Sequence, residues 1–173
     1  MNIFIVGPAG TGKSTVARAM AEVYVCPAAE TSQVLVRNLA ELFAAGESGG
    51  KPPDYWRQAI DGCKEEYRQA LVQLGDLITS LRPSALIEAC VGAGGHSVIA
   101  GVRRACEIEG YLTASQSPAK SVWIKVRRPR QPPLSNDRYE LELFRPHYEI
   151  INDGTLEDLE EMARDLAAGI QAR

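Results

Sequence analysis

The sequence predicts an α/β fold in which a parallel sheet is covered by helices on both faces. Three observations predict it. Short apolar runs alternate with segments of helical periodicity along the chain. The first run, Asn2 to Val6, is continuous and rich in β-branched residues, as a strand buried on both faces is. A glycine-rich turn then joins that run to a helical pattern. The composition suits one soluble globular unit: 173 residues, 45% hydrophobic and 24% charged. At this length roughly 70% of the unfolded chain's surface can be buried, so neither disulfides nor a structural metal is required. Ligands of such a sheet collect at the carboxyl ends of its strands.

Each element follows from local pattern. From Lys13 the chain turns helical, with Val16 and Met20 beside Ala17 and Ala21, fading near Glu22. Val23 to Cys26 reads as a second strand closed by Pro27. Glu30 to Ala45 carries Val34, Leu35, Leu39, Leu42 and Phe43 at helical spacing, and Gly46 ends it. The segment 46–53 is a loop by composition. Asp54 can cap a long helix running toward Leu74, with a break near Gly75. Pro83 to Val91 is a further helix, terminated by G-A-G-G at 92–95. Strands follow at Ser97 to Ala100, Ser121 to Val126 and Tyr148 to Ile151, with a short helix over Arg104 to Leu112 between the first two. Thr155, with Asp158 three residues on, opens a last helix whose expected apolar stripe is Leu156, Leu159, Met162, Leu166 and Ile170.

Charge and cysteine usage exclude some functions. The net charge of −3 predicts no global attraction to nucleic acid, although local basic patches are compatible with it. Cys26, Cys63, Cys90 and Cys106 form no C-x-x-C pair and are expected to be reduced core thiols. Met1 to Val6 is too short for the apolar region of a signal peptide, and no run of about 18 apolar residues occurs. A cytoplasmic location without membrane contact is therefore expected, the host cytoplasm in the case of a phage protein.

The chemistry is carried by Gly7 to Ser14, G-P-A-G-T-G-K-S, which satisfies G-x-x-x-x-G-K-[ST] between a strand and a helix. Gly7, Gly10 and Gly12 let backbone N–H groups turn inward around a triphosphate. Lys13 reaches the outer phosphates, the Ser14 hydroxyl takes a Mg2+ position, and Thr11 and Thr15 complete the loop and the first helical turn. The expected ligands are ATP and Mg2+. No N-K-x-D motif for guanine recognition is present, and large ATPases need a longer chain. A small phosphotransferase with arginines facing two anionic substrates remains.

Beyond that loop the chain resembles the phage-type deoxynucleoside monophosphate kinases, within the adenylate-kinase-like group. The resemblance is carried by the order and spacing of Y-R-Q-A-L-V-Q-L-G-D (67–76), S-V-I-A-G-V-R (97–103), W-I-K-V-R-R-P (123–129), N-D-R-Y-E (136–140) and I-I-N-D-G-T-L-E-D-L (150–159). It implies a single P-loop kinase domain over residues 1–173, a three-layer sandwich around a five-stranded parallel sheet in order 2-3-1-4-5. It further implies an acceptor-binding insert at about 27–82 and a lid at about 127–142. By position, Arg68 and Arg103 look like arginines gripping acceptor and transferring phosphates, and Arg128 like the arginine that opens the lid. Glu30, Arg37 and Asp76 are the acceptor-binding candidates. The partner implied is a free deoxynucleoside monophosphate, and the assembly a monomer or homodimer.

Lys125, Arg127 and Arg130 read as charges that solubilise the lid. Asn152 to Gly154 has two readings, a border to the nucleotide base or a plain strand-to-helix turn. His96 and His147 read as surface residues, and Tyr55 and Trp56 as packing of the insert rather than a stacking platform. The chain departs from the family where a relative's Asp would end the third strand: here the residues are Ala100, Gly101 and Val102. Ser14 and the phosphates then hold the metal alone, or Glu30, Asp76 or Glu88 supplies the charge, or activity is altered or lost. Two alternatives to a monophosphate kinase follow. One phosphorylates a hydroxymethyl group on a modified pyrimidine in phage DNA, with Glu30 or Asp76 as base and a basic track at Arg103, Arg104, Lys120, Lys125, Arg127 and Arg128. The other only binds nucleotide.

Overall fold

The computed structural model describes residues 1–46, 50–91, 97–114, 121–129, 140–142 and 144–172. Its strands are β1 (Asn2–Val6), β2 (Ala28–Glu30), β3 (Ser97–Val102), β4 (Ser121–Arg127) and β5 (Tyr148–Ile151). They form one five-stranded sheet, all parallel, in the order β2-β3-β1-β4-β5. The helices are α1 (Lys13–Tyr24), α2 (Thr31–Gly46), α3 (Pro53–Gly62), α4 (Arg68–Leu81), α5 (Ala85–Cys90), α6 (Ala105–Ala114) and α7 (Leu156–Gln171). This is the predicted three-layer architecture.

Strand β1 is buried throughout and divides its side chains between two cores. Ile3 and Ile5 face α1 and α7, where Val16, Ala17 and Met20 meet Leu159, Ala163, Ala167 and Ile170. Phe4 and Val6 face the other layer, with Leu86 and Ile87 of α5 and Ile108 and Tyr111 of α6. Phe4 stacks on Trp123 at 4.1 Å between centroids and meets Tyr111 edge-on at 5.5 Å. A third cluster, away from the sheet, joins Val36, Leu39 and Ala40 of α2 to Ile60 of α3 and Leu71 of α4.

Several boundaries differ from the sequence reading. The second strand is not Val23–Cys26. Helix α1 runs to Tyr24 and ends on Val25 at φ 51°, with the Cys26 N–H donating to the Ala21 carbonyl at 3.1 Å. A β-branched residue in this left-handed region is unusual, and Val25 is 92% exposed there. The strand lies three residues on, as the A-A-E of Ala28–Glu30, a sequence of poor strand propensity held by pairing with Val98, Ile99 and Ala100 of β3. The long helix after Asp54 is two, α3 and α4, parted by turns at 63–67 and capped by Pro52 rather than Asp54. No break falls at Gly75, which lies inside α4 against Leu35. In α7 the buried stripe is Leu159, Ala163, Ala167 and Ile170, while Leu156 and Met162 are exposed, so the small alanines rather than the bulky residues face α1. The turn at 92–95, His96, Lys120, Arg130 and most of the expected lid lie outside the described residues. Among the described residues no helix is long and apolar enough to cross a membrane.

The capping box at the start of α7 forms as predicted. The Thr155 hydroxyl accepts from the Asp158 N–H at 3.2 Å, and the Asp158 carboxylate accepts from the Thr155 N–H at 2.8 Å. Those bonds from Thr155, backbone first, hold the Asp158 carboxyl below its ordinary value of 3.8. A depressed native value means the charge stabilises the fold above pH 3.8 and loses that effect as the pH falls through the native value. Thr155→Ala is expected to cost about 1 kcal/mol at neutral pH, lowering Tm by roughly 2–4 °C, and most of that gap should persist below that pH, because the lost hydroxyl acceptor does not titrate and the Thr155 N–H that holds Asp158 remains. Thermal melts of both proteins from pH 7 down to acid unfolding check this.

Candidate functional site

The phosphate loop spans the gap between β1 and α1, and its shape is fixed from outside. Gly12 stands at φ 97°, where a Cβ would lie 2.6 Å from Leu159 Cδ2 and 2.9 Å from Asn152 Nδ2. Only glycine fits that left-handed position against those neighbours. The Asn152 amide donates to the Thr11 carbonyl at 2.9 Å, while its own N–H donates to the Arg127 carbonyl at 2.7 Å. Asn152 is buried and acts as a strut under the loop. Thr11 Oγ1 and Lys13 Nζ both donate to the Pro8 carbonyl, at 2.9 and 2.5 Å. Lys13 is thus folded across the loop, and Ser14 beside it is exposed.

A cleft of about 260 Å3 opens beside the loop, walled by the ends of β2 and β3 and by α2, α4 and α6. Lys13 and Ser14 line one side and Arg68, Arg103, Arg104 and Lys64 the others, with Leu35, Leu71, Val72 and Leu86 supplying apolar surface. Among the described residues, Glu30 and Glu107 are the carboxylates on its wall.

The far wall is built on a bulge. Ile5 of β1 pairs with Ala100 but Val6 with Val102, so Gly101 is the extra residue, at φ 96°. The Thr31 hydroxyl donates to the Gly101 carbonyl at 2.9 Å and occupies the place of a residue-101 side chain, 2.6 Å from a Cβ. Beyond the bulge, Glu107 is 4% exposed, and its Oε2 accepts the N–H groups of Arg103 at 2.9 Å and Arg104 at 3.1 Å. Arg104 in turn pairs with the Asp76 carboxylate and donates to the Gly75 carbonyl at 3.3 Å, tying the turn to α4. Arg68 forks onto Glu65, with Nε 2.6 Å from Oε2, and this contact holds the Glu65 carboxyl below the usual carboxylate range.

Of the predicted site residues, the cleft brings together Gly10, Lys13, Ser14, Glu30, Arg68 and Arg103, while Gly7, Thr11, Gly12 and Thr15 form the loop and the first turn of α1. It does not bring in three others. Arg37 is exposed on α2, Asp76 is held by Arg104 off the cleft wall, and Arg128 is exposed just past β4. Lys125 is not a solubilising charge: it is buried, donating to the carbonyls of Leu141 at 3.2 Å and Glu142 at 2.7 Å. Arg127 faces solvent and pairs with Glu149 at 3.3 Å. His147 Nδ1 accepts the Trp123 N–H at 3.0 Å and has a structural part in joining β5 to β4.

Trp56 packs on Phe43 at 5.2 Å in the α2–α3–α4 cluster, and Tyr55 sits under Lys51; neither reaches the cleft. The cysteines are unpaired, but only Cys90 is buried; Cys63 and Cys106 lie on exposed turns and helix starts, contrary to the core expectation. Burial pushes the Cys90 thiol up to about 11, with Arg37 pulling the other way, so it stays protonated at neutral pH. The residues that sequence reasoning missed are Glu107, Lys64 and the inward role of Asn152. An acidic residue in the first turn of α6, four after Arg103, was the available signal for Glu107.

No family model and no curated protein matches this sequence. Solved structures do. A shikimate kinase from Aquifex aeolicus is similar over 99% of this chain and 98% of that chain, at 14% identity and TM-score 0.48. An unliganded sugar kinase from Janibacter sp. HTCC2649 is similar over 94% and 91%, at 15% identity and TM-score 0.42. The fold assignment stands on this chain's own sheet order and phosphate loop. The two kinases named do not bear out the resemblance to phage-type deoxynucleoside monophosphate kinases, which is carried by the sequence motifs alone.

Glu107→Ala leaves two N–H groups without their acceptor, an expected cost of about 1–3 kcal/mol, and frees the turn that carries Arg103. Melting should show that loss, and Glu107→Gln, which keeps an accepting oxygen, should recover most of it. Equal Tm values for wild type and Glu107→Ala would show that the turn holds itself.

Proposed function

We propose that the protein transfers the γ-phosphoryl group of ATP to a deoxynucleoside monophosphate in this cleft, giving ADP and the diphosphate. The observation that carries the reading is the charge of the cleft wall. Among the described residues Lys13, Lys64, Arg68, Arg103 and Arg104 line it with the carboxylates Glu30 and Glu107, while Glu65 and Asp76 pair with Arg68 and Arg104 from outside the wall, in a chain whose net charge is −3. Such a local excess of cations suits two anionic substrates brought together.

The loop residues fit a magnesium nucleotide: inward-turned backbone around Gly10 and Gly12, a lysine, and an exposed hydroxyl at Ser14. Among the described residues no cluster of His, Cys, Asp or Glu is sufficient to hold a metal unaided, which is consistent with a cation carried largely by phosphate oxygens. When bound, Mg2+ neutralises charge on the transferring phosphoryl group. Lys13 exchanges its bond to the Pro8 carbonyl for the outer phosphates of the donor. Arg68 exchanges Glu65 for the acceptor phosphate, Arg103 meets the transferring group, and Leu35, Leu71 and Leu86 receive the acceptor nucleoside. The segment 27–82 thus forms the acceptor side. The acceptor oxygen is anionic at neutral pH, its second pKa being about 6, so no general base is required.

Glu30 favours a second reading, transfer to a hydroxymethyl group on a pyrimidine in DNA, because it places a carboxylate in the cleft that could take a hydroxyl proton. Two facts weigh against it. Asp76 is occupied by Arg104, and Lys125 is buried, which interrupts the basic track a polymer needs.

ADP release measured against a panel of nucleoside monophosphates and hydroxymethylated DNA tests the choice. We expect turnover of a monophosphate, abolished by Lys13→Ala without loss of Tm. Arg68→Ala and Arg103→Ala should each lower kcat/KM more than about tenfold, and Arg130→Ala much less. Turnover confined to hydroxymethylated DNA, with affinity falling steeply in salt at about −0.7 per phosphate on the log scale, would replace the first reading by the second.

A further inference from the structure

We infer that Glu30, at the carboxyl end of β2, holds the nucleotide's divalent cation through metal-bound water, in the place that a carboxylate on β3 would otherwise take. The inference rests on reading the cleft as a nucleotide phosphotransfer site, and three independent observations lead to it.

The first is that the end of β3 cannot present an acid. Gly101 is left-handed, and the space beyond its Cα is filled by the Thr31 hydroxyl, which is itself bonded to the Gly101 carbonyl. Any side chain there meets both a strained backbone and a buried neighbour. Val102, Arg103 and Arg104 follow, and none of them is acidic.

The second is an elimination among the carboxylates of the wall. Glu107 is buried with its Oε2 between two backbone N–H groups, and rotating it away would leave both unpaired. Asp76 and Glu88 lie off the cleft, paired with Arg104 and Arg82. Among the described residues Glu30 remains, on the same cleft as Ser14 and Lys13.

The third is register. Ile5 of β1, Ala100 of β3 and Glu30 of β2 form one row across the sheet, so Glu30 stands two strands from the strand that feeds the phosphate loop. That separation is about 10 Å. It suits a long acidic side chain acting through water on a cation that dehydrates reluctantly and prefers oxygen ligands. The Ser32 hydroxyl donates to Glu30 Oε2 at 3.2 Å, which orients the carboxylate from the first turn of α2. The same bulge that excludes an acid from β3 pins Thr31 and thereby the strand end from which Glu30 projects.

The test is Mn2+ binding followed by electron paramagnetic resonance, with a non-hydrolysable ATP analogue present, in the wild type, Glu30→Gln and Ser32→Ala. Binding of the same analogue in EDTA is measured alongside, and thermal melting confirms that each variant is folded. Glu30→Gln is expected to weaken Mn2+ in the nucleotide complex by about tenfold or more and Ser32→Ala by less, with metal-free analogue binding unchanged. Unchanged Mn2+ affinity in Glu30→Gln, with or without a raised KM for the acceptor, overturns the inference alone and leaves the metal to Ser14 and the phosphates. Failure of the wild type to bind the analogue at all, with metal or without, overturns the phosphotransfer reading and this inference together.

Discussion

The left-handed turn at Gly12 determines where the phosphate-loop groups Lys13 and Ser14 can stand. It is the joint between a fully buried strand and the first helix, and it is closed by residues from the opposite end of the chain: Leu159 of α7 lies against it and Asn152 bonds to the carbonyl just before it. A Cβ at position 12 would push against both. The loop therefore inherits its shape from the packing of α7 on α1 over the sheet, and the small residues Ala17, Ala163 and Ala167 let those helices lie close enough for that contact. Lys13 and Ser14 follow directly, so their positions are consequences of the same joint.

The second wall obeys a different constraint with the same kind of residue. Gly101 absorbs an extra residue at the end of β3 and sends the chain into a turn that Glu107 caps from below and Arg104 ties to α4. A buried carboxylate holding two N–H groups, and an ion pair reaching to another helix, keep Arg103 at the cleft. The cost of the bulge is chemical: the strand end loses a place for an acid. Among the described residues the wall carries more cations than carboxylates, two of the cations paired with Glu65 and Asp76, and Glu30 is a wall carboxylate not committed to capping backbone.

Much of this was legible in the residues. The β1 run, the phosphate loop, the start of α1 and the capping box of α7 are local signals, and each formed at its expected place because propensity, pattern and burial agree there. What failed to show was set by tertiary structure. Ala28–Glu30 has no strand signature of its own, and only pairing with β3 makes it one, whereas the β-branched Val23 and Val25 belong to a helix end. Gly75 looked like a breaker because the packing of α2 against α4 that carries the helix through it, with Leu35 at ordinary contact distance, is invisible in one dimension. Lys125 looked like a surface charge because the carbonyls of Leu141 and Glu142 that draw it inward come from a distant return of the chain. Arg68 and Arg103, carried over by position from the family resemblance, line the cleft, while Arg37, Asp76 and Arg128 lie off it.

The central claim is that donor and acceptor phosphates meet between the loop and the arginines of the far wall. A crystal structure of the protein with a bisubstrate analogue, adenosine joined through a chain of phosphates to a deoxynucleoside, tests it most directly. The account predicts phosphates running continuously from the backbone of Gly10 to Ser14 onto Arg68 and Arg103, with the deoxynucleoside against Leu35, Leu71 and Leu86. An analogue held only by its adenosine half, with Arg68 still on Glu65 and the cleft filled by solvent, would contradict it.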